Sequence, residues 1–186
     1  MKEILSTLND AQQDAATCID GPILILAGAG SGKTKTITTR LAYLISLGID
    51  PSSTLTLTFT NKAASEMRER AMSLLEAVNY PPLLCTFHKF GLLFLKFHIE
   101  RLGRKNSFVV IDNDDKKRIL KSFSTDTELP AGMIASEISR YKTSLIEPRV
   151  AWEKAEQKSY QLIAKFYEQY EEYLKSNNLV DFDDLL

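Results

Sequence analysis

Residues 27–34 read Ala27-Gly28-Ala29-Gly30-Ser31-Gly32-Lys33-Thr34. Three glycines let the backbone turn tightly and aim successive N–H groups inward, and the lysine and threonine that follow place an ammonium and a hydroxyl beside whatever those groups hold. The chemistry that fits is polyphosphate binding. The amides from Gly30 to Thr34 face the phosphate oxygens, Lys33 reaches the β- and γ-phosphates, and the Thr34 hydroxyl holds Mg²⁺. The strict pattern opens with Gly where this chain has Ala27, so the loop is the relaxed form. It implies a nucleoside triphosphate and leaves the reaction open.

Such a loop works only between a strand and a helix, and the flanks supply that pattern. Pro22-Ile23-Leu24-Ile25-Leu26 predicts a first strand over Ile23 to Ala27, and Ile37, Leu41, Leu44 and Ile45 predict a helix from Lys35 to Leu47, ending at Gly48. Leu5 to Ile19 has helical spacing with Asn9 or Asp10 as cap. Leu55 to Phe59 alternates as a second strand, so the sheet is expected to be parallel. Asn61 is expected to cap a helix from about Lys62 to Val78, and Leu83 to Thr86 reads as a third strand. From Phe87 the pattern turns helical, with segments near Asn113 to Phe123, Met133 to Ser144 and Pro148 to Ser176 around a brief extended run at Phe108 to Ile111. The expected fold class is α/β, a parallel sheet interrupted by a helical insertion.

Composition bounds the partners. The chain has 186 residues, 44% hydrophobic and 25% charged, with a net charge of −1, which fits an ordinary globular protein and puts any nucleic-acid role on a local patch. The apolar runs are too short to span a bilayer and the start lacks a signal peptide, so no membrane partner and a cytoplasmic location are expected. Cys18 and Cys85 have no CxxC spacing and are expected to be buried thiols, neither paired nor metal-bound.

Four further segments narrow the class. Leu8-Asn9-Asp10-Ala11-Gln12-Gln13 precedes the first strand, Thr58 to Ala64 (Thr-Phe-Thr-Asn-Lys-Ala-Ala) closes the second, Thr86-Phe87-His88 closes the third, and Asp181-Phe182-Asp183-Asp184 lies near the last residue. With residues 27–34 they resemble, in order, the N-terminal motifs of superfamily 1 DNA helicases of the UvrD/Rep type, from about Leu8 onward. The resemblance implies a RecA-like ATP-binding core that opens over residues 1–91, a helical insertion subdomain over 92–178, and a return to the core at 179–186. It implies ATP and Mg²⁺ as cofactors, single-stranded DNA and the remaining helicase domains as partners, and 3′ to 5′ polarity.

The resemblance also assigns roles. The nucleotide would be held by Gln12, Ala27, Gly28, Ala29, Gly30, Ser31, Gly32, Lys33, Thr34 and Lys35, with Lys33 and Thr34 catalytic and Thr34 the metal ligand. Gln12 matches an adenine-contacting glutamine, and its amide has the donor and acceptor to pair with N6 and N7. Taken alone it reads rather as a solvated helix residue. Phe59, Thr60, Asn61, Lys62, Thr86, His88 and Phe182 match single-strand contacts, the phenylalanines by stacking and the polar groups on phosphates. Each has a plainer reading: core for Phe59, a helix cap for Asn61, a structural imidazole for His88. The aspartates beside Phe182 are expected to organise hydrogen bonds, because Leu179-Val180 is too short a strand to introduce a metal-binding acidic motif.

One departure is Lys35, where many family members carry arginine; an ammonium has no planar face to pack on a base. The Asp-Glu motif, the γ-phosphate arginines and the second RecA-like domain of the family have no counterpart in these residues, so the chain is expected to be an N-terminal portion that binds ATP without hydrolysing it alone. Two rivals remain: a small P-loop nucleotide kinase, for which the arginines form no acceptor or lid motif, and a non-catalytic interaction module docking through the helical region 148–176.

Overall fold

The computed structural model describes residues 2–75, 80–125 and 127–186. The chain is mixed α/β, mostly helical, and divides into two compact units, 1–87 and 88–186. Among the described residues its strands form two small parallel sheets.

In the first unit, α1 (Lys2–Leu5) precedes α2 (Asp10–Thr17). Asn9 caps α2: its side chain accepts from the Gln12 N–H at 2.9 Å and the Gln12 side chain accepts the Asn9 N–H at 3.1 Å, a reciprocal box that satisfies two orphan donors. The helix is thus shorter than Leu5 to Ile19. Cys18 lies past its end and is exposed, against expectation, because it leaves the face that buries Ala15 and Ala16; Cys85 is buried. The next helix, α3 (Lys33–Ser46), begins two residues earlier than its apolar face suggested, at the lysine of the loop. Its Thr36 and Thr38 are buried, with hydroxyls donating to the Gly32 and Thr34 carbonyls one turn back.

Strand β1 (Leu55–Thr58) pairs in parallel with β2 (Leu83–Thr86), Leu55 opposite Leu83 and Thr58 opposite Thr86. Between them runs α4 (Asn61–Leu74), whose cap is Thr60, not Asn61: the Thr60 hydroxyl accepts from the Ala63 N–H at 3.1 Å while Asn61 is already helical. The expected helix end near Val78 lies outside the described residues. Leu41, Met67, Ala71 and Leu84 form the core of this unit.

The first predicted strand is corrected. Ile23 to Ala27 joins no ladder among the described residues, and Leu24 and Leu26 are 81% and 86% exposed. An apolar β-prone run specifies an extended backbone, but a strand exists only where a neighbour's N–H and C=O groups face it, and here β1 and β2 pair with each other.

Beyond α5 (Phe87–His98), β3 (Val109–Val110) pairs in parallel with β4 (Leu179–Val180), and α6 (Asn113–Phe123) and α7 (Ala131–Thr143) follow in the connection between them. The expected single helix over Pro148 to Ser176 is two, α8 (Pro148–Lys154) and α9 (Lys158–Ser176), separated by extended backbone at Ala155 and Gln157. A continuous helix would hold residues 151 and 163 about 18 Å apart along its axis. The break lets Ala151, Ile163 and Ala164 enter one core with Leu120, Ile134, Ile138 and Tyr170.

Candidate functional site

Loop 28–32 is closed on itself. The Ser31 hydroxyl donates to the Gly28 carbonyl at 2.7 Å, and Gly30 and Gly32 take φ of 74° and 82°, a left-handed conformation that costs side-chain-bearing residues about 1–2 kcal/mol. Gly32 is the N-cap of α3 and brings no side-chain bond to the helix start. The first N–H groups of α3 therefore keep their partial positive charge for an external anion. Lys33 Nζ turns back to the carbonyls of Ala27 at 2.8 Å and Gly28 at 2.6 Å, and Thr34 is exposed beside it.

Gln12 touches this loop. Its Nε2 donates to the Ser31 carbonyl at 2.9 Å while its Oε1 holds the cap of α2. A Cβ on Gly32 would lie 2.8 Å from that Nε2, so the third glycine answers both to backbone conformation and to the glutamine. Lys35 donates to the Thr7 carbonyl, tying the start of α3 to the segment ahead of α2. The stretch from Ala27 to Lys35 and the distant Gln12 thus form one assembly. An open helix terminus, left-handed glycines and an exposed lysine and threonine suit a phosphate chain and its magnesium ion.

The other predicted residues fall into two groups. In the first unit Phe59 is 85% exposed, so the core reading does not hold, and its ring centroid lies 5.3 Å from that of Phe87. Asn61 and Lys62 are exposed on the first turn of α4; Thr60 is spent on its cap, and Thr86 is buried. In the second unit the His88 and Phe182 rings meet edge to face with centroids 5.8 Å apart, and Phe182 is 41% exposed. Sequence reasoning gave Phe87 no separate role, because its spacing also fits the apolar face of α5.

Behind Phe182 lies a buried ionic cluster that the sequence did not announce. Lys116 Nζ donates to Asp183 at 2.6 Å, Asp181 at 3.1 Å and the Ser139 hydroxyl at 2.9 Å. Lys142 Nζ lies 2.8 Å from Asp184, 3.2 Å from Asp181 and 2.7 Å from Glu171, and the Tyr170 hydroxyl donates to Asp181 at 3.0 Å. The aspartates organise hydrogen bonds, as expected. Burial alone would lower the Lys142 ammonium, but the carboxylates of Asp184, Asp181 and Glu171 outweigh it and its pKa is raised. Burial opposes ionisation of Asp181 too, yet Lys142 and Lys116 hold it below the usual carboxylate range. Asp184 and Glu171 go up, burial being the larger effect at each, and the Tyr170 phenol is raised by burial and by Asp181. No short-range spacing marks Lys116 or Lys142, since a lysine on a helix is ordinarily solvated.

A glycine-rich loop running into an open helix terminus, in a mixed α/β chain, is the turn that P-loop proteins use for phosphate, although no paired strand leads into it among the described residues. A family model for the UvrD/REP helicase N-terminal domain matches residues 8–186, and the chain belongs to that family. It is 39% identical over 192 residues to a probable DNA helicase II homolog of Mycoplasma capricolum, covering 98% of this chain and 27% of that protein. It is 35% identical over 192 residues to the ATP-dependent DNA helicase PcrA of Staphylococcus aureus, covering 100% and 26%. To the ATP-dependent DNA helicase Rep of Buchnera aphidicola it is 39% identical over 182 residues, covering 96% and 27%. The chain spans 26–27% of the length of these curated relatives.

Proposed function

We propose that these residues form the opening ATP-binding and single-strand-contacting portion of an ATP-dependent DNA helicase, the activity for which PcrA and Rep are named. The observation that carries this reading is the joining of Gln12 to the Ser31 carbonyl of the glycine loop. It brings a primary amide, a group able to pair with adenine, to a turn suited to phosphate, which supports the reading over a generic anion site. ATP would lie with its phosphates over the N–H groups from Gly30 to Thr34, Lys33 would exchange the Ala27 and Gly28 carbonyls for phosphate oxygens, and Thr34 would hold Mg²⁺. The metal would neutralise charge on the phosphates. Gln12 would favour adenine by turning its amide, now held by the Asn9 N–H and the Ser31 carbonyl, toward N6 and N7.

For DNA, Phe59 with Phe87 and His88 with Phe182 offer ring faces to unstacked bases, and Asn61 and Lys62 offer donors to the backbone. In the first unit Thr60 acts by capping α4, on which Asn61 and Lys62 sit, and Thr86 by ending β2 next to Phe87. The RecA-like core over 1–91, the helical insertion over 92–178, the return at 179–186, partnership with the remaining helicase domains and a cytoplasmic location complete the proposal; no described helix is long and apolar enough to cross a membrane. Titration calorimetry tests it. Mg·ATP should release heat and Mg·GTP much less, with both signals lost in Lys33→Ala and the discrimination lost in Gln12→Ala. Equal heats with ATP and GTP, or heat unchanged in Lys33→Ala, would remove the assignment.

A further inference from the structure

The turn 181–184 has one exposed ring and three engaged carboxylates. Asp181, Asp183 and Asp184 all reach lysines from two different helices, Lys116 on α6 and Lys142 on α7, whose side chains are 3% and 6% exposed. Within the turn the Asp181 N–H donates to Asp184 at 2.9 Å and the Asp184 N–H donates to Asp181 at 3.1 Å, so the backbone is locked as well. Phe182 alone among the four residues reaches outward, to His88.

Burying two ammonium groups is costly unless each is paired and hydrogen-bonded, and a well-packed apolar cluster serves stability as well or better. What such a network supplies is one geometry, because every carboxylate has its own donor at its own place. A second constraint comes from α5. A Cβ on Gly91 would lie 1.9 Å from the Leu185 carbonyl oxygen, so the helix and the turn touch backbone to backbone there, and His88 stands one helical turn ahead of Gly91 on the same face.

We propose that Lys116, Lys142 and Gly91 are positioning residues that set the Phe182 ring against His88, and through that pair govern contact with single-stranded DNA. The second half of this statement rests on the reading of His88 and Phe182 as base contacts; the first does not. Lys116 and Lys142 draw the turn inward through its aspartates, and the missing side chain at Gly91 lets α5 close on it.

The test uses the 186-residue chain, two-dimensional NMR of its imidazole protons, and fluorescence anisotropy with a labelled oligo(dT). In wild type the Phe182 ring current is expected to displace the His88 signals, and Phe182→Ala to abolish the displacement. Lys116→Met and Gly91→Ala are expected to move the His88 signals toward those of Phe182→Ala, and Lys116→Arg to restore them partially. Lys116→Met should weaken oligo(dT) binding about fivefold or more, the loss expected for one stacked base, and add nothing when combined with Phe182→Ala. Should Lys116→Met not fold, Ser139→Ala, which removes the hydroxyl that donates to Asp183 at 2.5 Å, should give a smaller shift in the same direction. His88 signals unchanged in the folded Lys116 or Ser139 variant, or binding losses that multiply with Phe182→Ala, would overturn the positioning role. Wild-type affinity in Phe182→Ala with the His88 shifts as expected would instead remove the base-contact reading and the control of DNA binding, leaving the geometric half standing.

Discussion

Lys33 Nζ sits 2.6 Å from the carbonyl oxygen of Gly28, inside the glycine loop. The ammonium fills the loop itself, so on the proposed reading nucleotide binding would exchange two ammonium–carbonyl bonds for bonds to phosphate in which both partners carry charge.

Removing the ammonium should therefore separate binding from folding. Lys33→Met is expected to abolish the calorimetric signal for Mg·ATP while changing folding stability by less than about 1 kcal/mol, since an exposed hydrogen bond contributes little net. Thermal unfolding followed by circular dichroism checks the second half. A large loss of stability would mean that Lys33 holds the loop together rather than serving a ligand.

Glycines of the loop should not be equivalent. Gly32→Ala meets a φ of 82° and a Cβ contact of 2.8 Å with Gln12, whereas Gly28 has open space around its Cα and no positive φ. Gly32→Ala should cost about 1–2 kcal/mol and weaken ATP more than GTP, because Gln12 is displaced. Gly28→Ala should leave unfolding nearly unchanged. Equal melting temperatures for the two variants would contradict this.

Phe59→Ala is expected to reduce oligo(dT) affinity by about 1–3 kcal/mol with almost no loss of stability, the ring being 85% exposed. Leu84→Ala in the same unit should do the reverse and cost about 2–5 kcal/mol of folding. Lys62→Ala should lower the slope of log affinity against log salt by ~0.7. Anisotropy titrations over a salt series measure the two binding effects, and urea unfolding of the same variants measures the third.

Alkaline pH should unfold the second unit. Lys142 has a raised folded-state pKa, so its stabilisation is complete below the unfolded lysine value near ~10.4 and is lost as pH rises through the folded value. Tyr170, an acid with a raised pKa, works in the same direction: above about pH 10 the unfolded chain releases a proton that the folded one keeps. Stability should fall above about pH 10, and less steeply in Tyr170→Phe than in wild type. Urea midpoints at a series of alkaline pH values decide it, parallel curves counting against the assignment.

The features of the molecule that were legible from residue order are those made by short-range chemistry. Residues 27–34 turn where glycines permit it, Asn9 caps α2, and the parallel direction of β1 and β2 follows from the helix between them. Thr60 caps α4 in place of Asn61 because adjacent residues both suit a cap, and α3 starts two residues ahead of Lys35 because an apolar face does not mark the first turn. Tertiary structure decided what needs a partner from far along the chain. Ile23 to Ala27 is extended by its own preferences, yet a ladder requires a neighbour; Pro148 to Ser176 has helical character throughout, yet core packing breaks it at Ala155 to Gln157. Lys116 looks like any helix lysine until Asp181, 65 residues on, shares its burial. Local backbone preferences belong to a few neighbouring residues and can be read in order, whereas burial and charge pairing are properties of groups that only folding brings together.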